Sequence, residues 1–218
     1  EIQLPKTVTT IWPHAFDGCS SLKKVEWSDC LESIKDNAFK GCTSLTEIVI
    51  PNTVRELGNE AFRNCDGLEK IVIPNSVTTI GNGVLYDCDS LTNISVGVGI
   101  SKLSESCFEH CDNLEKIVLP YTIKSIDKSA FKECIALKEI TIPRNTSSIG
   151  TSVFSYPAKM TIYGVAGTYA EKYAEGFCDI YFMRNAKKPD KSLVTVEVRH
   201  NKVVQSRIKN NKCPTDQQ

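Results

Sequence analysis

Residues 47–65 read E-I-V-I-P-N-T-V-R-E-L-G-N-E-A-F-R-N-C, and residues 70–88 read K-I-V-I-P-N-S-V-T-T-I-G-N-G-V-L-Y-D-C. The two stretches are copies of one unit, offset by 23 residues. Similarity at a fixed period of about 20 to 50 residues is the signature of solenoids and other repeat arrays. One such unit is too small to bury its own apolar face, so the sequence predicts a stack of similar coils around a continuous core.

Cysteines and large apolar residues recur in step along the chain. Their constant spacing of 23 residues predicts that each coil stacks in register on the next. We expect the cysteines to form an inert column of small buried side chains. Metal or redox chemistry is the alternative, and no C-x-x-C motif or Cys/His pairing supports it. The cysteine column is Cys19, Cys42, Cys65, Cys88, Cys111 and Cys134, and the large apolar column three residues earlier is Phe16, Phe39, Phe62, Leu85, Phe108, Phe131 and Phe154.

Each unit divides into three short segments. Residues 47–50 alternate in polarity, which predicts a short strand with two isoleucines facing the core. Pro51 has no amide hydrogen to donate to a sheet, so it should end this strand. Residues 54–57 predict a second extended stretch. Residues 59–64 predict a short helical or 3₁₀ segment that inserts Phe62 into the core.

The period defines seven units followed by a C-terminal remainder. The units are residues 5–27, 28–50, 51–73, 74–96, 97–119, 120–142 and 143–163. Residues 164–185 are predicted to cap the solenoid with a short helix and a last strand. Residues 186–218 are predicted to be a linker, a possible β-hairpin of residues 193–198 and 203–208, and a frayed tail. Since the first residues already match the strand positions of a unit, we expect further N-terminal sequence in the whole protein.

Three motifs carry a resemblance to a known family: L-x-x-I-x-I-P, V-x-x-I-G and A-F-x-x-C-x-x-L. The first occurs at residues 45–51, 68–74 and 137–143, the second at 77–81, and the third at 38–45 and 130–137. Residues 1–185 resemble the leucine-rich repeat family, in particular its BspA-like class of surface proteins from bacteria and some protozoa. The resemblance implies an α/β repeat fold, a right-handed solenoid of short strands, turns and short helical or 3₁₀ segments. The cysteine precedes the strand here, whereas the common leucine-rich pattern places Asn or Cys after it.

Composition and charge argue against several classes of protein. The chain is 41% hydrophobic and 24% charged, as globular proteins are, and it has no apolar run long enough for membrane insertion. The formal net charge is zero, although residues 186–218 carry eight Lys/Arg and three Asp/Glu, a net of +5. A nucleic-acid-binding chain would concentrate basic residues on one face with interleaved aromatic residues, and the repeats show no such pattern. We therefore expect neither a nucleic-acid partner nor insertion into a membrane.

The sequence shows no catalytic, cofactor or metal motif. It contains no Ser/His/Asp or Cys/His constellation, no phosphate-binding loop and no metal-ligand spacing. The three histidines are interpreted as surface residues: His14, His110 and His200. Four cysteines stand outside the column, and the spacing does not decide whether they form disulfides: Cys30, Cys107, Cys178 and Cys213. The sequence thus predicts a protein that is not an enzyme and uses no cofactor.

Two outward-facing columns of the predicted strands form the candidate binding face. Stacked strands present such columns as an extended sheet face, which repeat proteins commonly use to bind partners. Valines in the second column could form an apolar strip, although valine also has high strand propensity and single exposed apolar residues are common. The first column is Lys24, Glu47, Lys70, Asn93, Lys116 and Glu139, and the second column is Glu26, Val49, Val72, Ser95, Val118 and Thr141.

Two functions fit this architecture. The resemblance to BspA-like repeats implies a cell-surface or secreted module that adheres to a host or microbial surface protein through this face. The alternative is a structural spacer that presents another domain, one outside this sequence. The pattern specifies neither the ligand nor the oligomeric state.

Overall fold

The computed structural model describes residues 1–154, 160–165, 168–170, 173 and 193–198. In chain order its strands are β1 (Ile2–Gln3), β2 (Thr10–Ile11), β3 (Val25–Glu26), β4 (Ser33–Ile34), β5 (Glu47–Val49), β6 (Glu56–Leu57), β7 (Lys70–Ile73), β8 (Thr79–Ile80), β9 (Asn93–Val96), β10 (Lys102–Leu103), β11 (Lys116–Val118), β12 (Ser125–Ile126), β13 (Glu139–Thr141), β14 (Ser148–Ile149), β15 (Met160–Val165) and β16 (Leu193–Val198). The odd-numbered strands up to β15 line the first side of the coil, and the even-numbered strands up to β14 line the second. The predicted repeat solenoid is confirmed.

Both strand sides are built by parallel pairing between most successive coils, although in residues 1–154 β3 and β5 on the first side are not paired. Glu47 of β5 pairs with Lys70 of β7, and Lys70 pairs with Asn93 of β9, so the register advances by one unit of 23 residues. Only at the last coil does it change: Glu139 pairs with Thr161, one residue less than the period. Because the register is constant over the earlier coils, equivalent positions in the sequence are direct neighbours in space.

The third side of the coil is a ladder of turns. Alternate residues donate their amide hydrogens to the next coil: Phe39 donates to the carbonyl oxygen of Ala61 at 2.8 Å. The residues between them close local turns, as when Cys42 donates to the carbonyl oxygen of Phe39 at 3.2 Å. This third ladder explains why the spacing of 23 residues tolerates no insertion. A shift of one residue would place the amides that bond to the next coil where the amides that close local turns belong.

The prediction of a short helical or 3₁₀ segment on this side is wrong, because residues 59–64 form turns. Glu60 and Asn64 have left-handed backbones with φ of 53° and 55°, and such a residue at every fourth position interrupts a right-handed helix. The equivalent positions are left-handed in the other coils. They are His14, Asn37, Glu60, Gly83, Ser106, Ser129 and Ser152 in one column, and Gly18, Gly41, Asn64, Asp87, His110 and Glu133 in the other.

The core is a set of stacked columns along the coil axis. Phe39 lies between Phe16 and Phe62, with ring centroids 5.0 and 5.4 Å away and nearly parallel planes. Leu85 interrupts the phenylalanine column, which resumes as a second stack from Phe108 onward. Each coil therefore buries its large side chain against the coils on both sides, so stability is shared between neighbours.

Two of the three ladders are interrupted between the fourth and fifth coils. Within residues 1–154, no strand pairing joins β8 to β10 or β9 to β11. On the second side the cause is visible: the Ser104 hydroxyl donates to the carbonyl oxygen of Ile80 at 2.6 Å. One coil earlier, the equivalent carbonyl of Leu57 accepts the backbone amide of Gly81. The ladder of turns continues through this point, since Leu85 still donates its amide hydrogen to the next coil.

The last coil is closed by a strand from the C-terminal remainder. β15 extends to Val165, past the predicted end of the seventh unit at residue 163, and β16 pairs antiparallel along its whole length. β16 thus pairs with β15, whereas the sequence suggested a hairpin with residues 203–208. Those residues, and the strand predicted in the cap, lie outside the described residues. In the predicted cap helix, Tyr173 is helical and packs edge-on against Phe154 at 6.3 Å.

Candidate binding face

The structure brings the two predicted outward columns together on the outer surface of the first side. We call these twelve residues the strand face. Lys24 directly precedes β3, the other eleven lie within strands, and all twelve are exposed or half-buried. Their inward neighbours are the isoleucines and valines of the core, so strand alternation fixes which side chains point outward.

Each lysine of the first column forms an ion pair with a glutamate, in most cases one on a neighbouring coil. The pairs are Lys24–Glu1 (3.0 Å), Lys24–Glu26 (2.8 Å), Lys70–Glu47 (2.5 Å) and Lys116–Glu139. The hydrogen bond from Lys116 to Glu139 raises the pKa of the lysine. Exposed pairs of this kind add little stability, about 0 to 1 kcal/mol each. They do cancel the local charge, so the first column is not a free charged patch.

The second column supplies the apolar part of the strand face. Val49 is 52% exposed and Val118 is 66% exposed, while Val72 is half-buried. An open groove of about 440 Å³ runs along the coil axis beside this column. It is lined by Val49, Val72 and Ser95 on the strands, by Pro51, Pro74 and Gly97 at the strand ends, and by Asn52 and Asn75 on the turn, with Ile50, Ile73 and Val96 completing the lining.

Two exposed apolar residues beside this groove were missed by the sequence reasoning. Val98 is 41% exposed and Tyr121 is 69% exposed, and both lie on the turn that follows the first side. The equivalent residues in the third and fourth units are asparagines, Asn52 and Asn75. Replacement of a turn asparagine by an apolar residue in two successive units is the signal that could have found them.

The cysteine column ties each coil to the one before it. Each buried thiol donates to a backbone carbonyl of the preceding coil: Cys65 to Phe39 and Cys88 to Phe62, both at 3.2 Å. Burial raises the pKa of the Cys42 thiol to about 12, and it raises the pKa of Cys88 as well. Burial therefore disfavours the reactive thiolate, and in the described residues the column contributes side-chain packing and hydrogen bonds between coils.

We expect Cys88→Ala to lower the free energy of unfolding by about 1–2 kcal/mol, because it removes a buried hydrogen bond and leaves a small cavity. Urea denaturation measures this loss. Cys19→Ala is the matched control, since Cys19 holds the equivalent position in the first coil but is exposed. Equal, small effects of the two substitutions would show that the column does not bind the coils together.

A row of carboxylates lies at the corner that precedes the first side. Asp66, Asp89 and Asp112 occupy equivalent positions, and within residues 1–154 none of them forms a salt bridge. Backbone hydrogen bonds hold the corners together, as between the amide of Ser90 and the carbonyl of Asp66 at 3.2 Å. Partial burial, and then the charge of Asp89, raise the pKa of both Asp66 and Asp112.

The raised pKa values predict a stability that falls with rising pH. The folded chain binds protons at Asp66 and Asp112 more tightly than the unfolded chain does. The resulting stability is present below the ordinary carboxyl pKa and is lost as the pH rises through the raised values. We expect Asp89→Asn to add about 0.5 kcal/mol at about pH 7, by removing like-charge repulsion, and nothing at about pH 3. Urea titrations at both pH values measure this, and an equal gain at both would contradict the assignment.

The histidines and cysteines of the described region do not assemble into a further site. His14 Nδ1 lies 2.7 Å from Asp17 Oδ2 at an exposed edge, and His110 packs edge-on against Tyr86 at 5.6 Å. In the part of the chain that the structure covers, no group of three His, Cys, Asp or Glu residues is placed to hold a metal ion. No helix there has the length and apolar character needed to cross a bilayer. His200, Cys178 and Cys213 lie outside that part.

Two family models match the sequence. The model described as "BspA type Leucine rich repeat region (6 copies)" matches residues 1–111 and 32–161. The model described as "PcfJ-like protein" matches residues 153–218. No curated protein matches the chain.

Solved structures of bacterial leucine-rich repeat proteins share the fold. A leucine-rich repeat protein from Bacteroides ovatus is 34% identical, with a TM-score of 0.65 over 68% of this chain and 38% of that one. The T. pallidum leucine-rich repeat protein (TpLRR) is 29% identical, with a TM-score of 0.63 over 68% of this chain and 72% of that one. The match thus spans well under half of the Bacteroides ovatus protein.

Proposed function

This chain belongs to the BspA-type leucine-rich repeat family, and we propose that it is a non-enzymatic module that binds a protein partner through the strand face. The contrast between the two surfaces of the first side carries this proposal. The inward positions hold nearly the same residue in each coil, as Ile48, Ile71 and Ile117 show, and all three are buried. The outward positions differ from coil to coil, and a rigid array that varies only on its exposed side is suited to recognition.

The chemistry of the strand face favours a protein partner over nucleic acid. Its lysines are neutralised by glutamates of neighbouring coils, so it lacks the free positive charge that phosphate binding requires. Its exposed valines and the adjoining groove offer apolar surface instead. Interfaces between proteins combine such an apolar centre with a polar rim.

A variant that inverts the charge pattern without breaking the ion pairs tests this proposal. It combines Glu47→Lys with Lys70→Glu, Lys116→Glu with Glu139→Lys, and adds Val72→Asp in the second column. Because each pair is retained in reverse, the four charge changes should alter stability by less than about 1 kcal/mol. Thermal unfolding of the variant checks this before any binding is measured.

The binding measurement is a screen of purified extracellular-matrix and cell-surface proteins. A matched control exchanges Glu105 and Lys128, a pair at 2.8 Å on the turn side of the coil. We expect wild-type and control chains to bind the same partner, and the strand-face variant to lose it. A partner retained by the strand-face variant would exclude this face as the site of binding.

We further propose that the chain acts at the cell surface or outside the cell, as the family suggests. Protease treatment of intact cells of the source organism should then release peptides of residues 1–154, detectable by mass spectrometry. Release only after lysis would place the protein inside the cell and contradict this part of the proposal.

A second candidate function is a spacer that holds the C-terminal segment at a distance. The observation that favours it is the separate family match over residues 153–218, together with the pairing of β16 on β15. If the chain is a spacer, the strand-face variant and the wild type should bind the same partners. Partners captured by wild type are instead lost when residues 199–218 are removed from the chain.

A further inference from the structure

Three exposed apolar side chains lie together where the first side turns toward the second. Val118 ends β11, Tyr121 follows on the turn, and Val98 holds the position equivalent to Tyr121 in the preceding coil. Their exposed fractions are 66%, 69% and 41%. We call these three residues the Tyr121 patch. Adjacent exposed apolar side chains that include an aromatic ring are typical of surfaces that bind a partner.

The backbone beneath the patch is held in place. The Thr122 hydroxyl donates to the carbonyl oxygen of Ile100 at 2.7 Å, which ties this turn to the coil before it. The Asn145 side-chain amide donates to the carbonyl oxygen of Tyr121 at 3.3 Å, which ties it to the coil after it. The patch is therefore presented on a fixed frame, and little ordering is needed when a partner binds.

The patch continues an existing groove. The second column and the strand ends of the preceding coils form that groove beside Val49, Val72 and Gly97. Paired strands are about 4.8 Å apart, and β11 lies beside β9 although the two are not paired, so groove and patch together make a strip on the order of 15–20 Å long and about one chain wide. A strip of this shape accommodates a single extended peptide segment of roughly five residues.

The charges around the patch differ from those of the first column. Lys124 lies three residues after Tyr121, and Arg144 holds the position of Tyr121 in the next coil. Both are exposed, and within the described residues neither forms an ion pair. The lysines of the first column are all matched by glutamates. Apolar surface bordered by two unmatched cations is complementary to a segment that carries apolar and acidic side chains.

We infer that the Tyr121 patch binds an extended peptide segment of a partner protein, with an apolar or aromatic residue on Tyr121 and Val118 and a carboxylate near Lys124 and Arg144. This inference deepens the proposed function and rests on it, since it names the part of the surface that makes the contact and the chemistry of the segment. It also moves the centre of binding from the first column to the turn beside β11.

The probe is a phage-displayed library of short random peptides, selected on the immobilised full chain. We expect enriched peptides to combine an aromatic or branched apolar residue with Asp or Glu. Tyr121→Ser should weaken the selected peptides about tenfold or more, as loss of a central interface aromatic does. Ile135→Ser is the matched control, because Ile135 is also exposed, at 57%, but lies at the opposite corner of the coil; it should leave affinity unchanged.

The charge part of the inference has its own test. Lys124→Glu with Arg144→Glu should weaken acidic peptides, and the same peptides with Lys in place of Asp or Glu should regain binding to this variant. Arg55→Glu is the control, since Arg55 occupies the position of Lys124 three coils earlier and is likewise unmatched. Failure of the charge-reversed peptides to rescue binding would overturn the assignment of the two cations.

The outcomes separate this inference from the proposed function. Peptides that lose binding when the strand-face charges are inverted, but not with Tyr121→Ser, would overturn the patch and leave binding by the strand face intact. Peptides sensitive to Tyr121→Ser alone support the patch. If no selected peptide binds the wild-type chain more tightly than the Tyr121→Ser variant, the inference is contradicted. Self-association of the chain that Tyr121→Ser abolishes would assign the patch to a second copy, which also contradicts it.

Discussion

Phe62→Ala should lower the free energy of unfolding by about 3–5 kcal/mol, the cost of emptying a fully buried aromatic site. Phe62 is completely inaccessible, and its ring stacks on Phe39 with centroids 5.4 Å apart and planes only 4° apart. Because every coil packs against both neighbours, the cavity weakens two coil interfaces at once. Urea denaturation followed by circular dichroism gives the change.

Phe16→Ala is the matched control for this prediction. Phe16 holds the same position in the first coil and stacks on Phe39, but its side chain is only partly buried. We expect a loss of no more than about half that of Phe62→Ala, since the transfer free energy scales with the area buried. Equal losses of stability in the two variants would contradict the view that the interior residues of the phenylalanine column contribute most of its stability.

Deletion of Ala61 alone should be more damaging than deletion of a whole unit. Ala61 lies on the ladder of turns, where alternate residues bond to the next coil and to their own turn. Removal of one residue exchanges these two sets, moves Phe62 and Cys65 out of their columns, and should cost at least about 4 kcal/mol. Removal of residues 51–73 joins Ile50 to Pro74, as Ile50 is joined to Pro51 in the intact chain, and leaves all ladders in register.

The shortened chain should therefore still unfold in one cooperative transition, with a lower midpoint because one coil interface is lost. The chain without Ala61 should show a broad or much weaker transition by circular dichroism. If the loss of 23 residues is as damaging as the loss of one, the coils are not interchangeable units and the proposed register is wrong.

The architecture could be predicted because the core repeats. A solenoid has no unique centre, so each coil must place similar side chains at similar positions, and residues such as Phe39, Phe62 and Cys65 recur at a fixed interval. The strands were predicted for the same reason, since alternation within each unit distinguishes inward from outward residues. Both signals arise because buried positions require apolar side chains, and the positions of apolar residues are visible in the sequence.

The ladder of turns could not be predicted from the same signals. Its left-handed positions are held by glycine at Gly41 but by glutamate at Glu60 and histidine at His110. The cost of a left-handed side chain is about 1–2 kcal/mol, which a well-packed coil can bear, so the residue type does not reveal the backbone. A single unit with Ala and Phe at its centre therefore resembled a short helix.

The outward positions of the strand face were predicted from the sequence, and their ion pairs were predictable in the same way. The alternation of Lys24, Glu47 and Lys70 at equivalent positions was visible, and opposite charges on adjacent strands are expected to pair. The exposed turn residues Val98 and Tyr121 gave no signal at the period of 23 residues, because their position holds an apolar residue in two successive units only. The change from asparagine at this position was visible in the sequence, but only the structure shows that both side chains are exposed.

Amide hydrogen exchange, read residue by residue by NMR, tests the central claim that three ladders of hydrogen bonds stack the coils at a fixed interval. We expect slow exchange at five turn-ladder amides that are each bonded to the next coil: Phe39, Phe62, Leu85, Phe108 and Phe131. We expect faster exchange at the facing edges of β9 and β11, where no strand pairing is present. Fast exchange at the turn-ladder amides would contradict the three-ladder arrangement. So would amides between β9 and β11 that are protected as strongly as those between the paired strands β7 and β9.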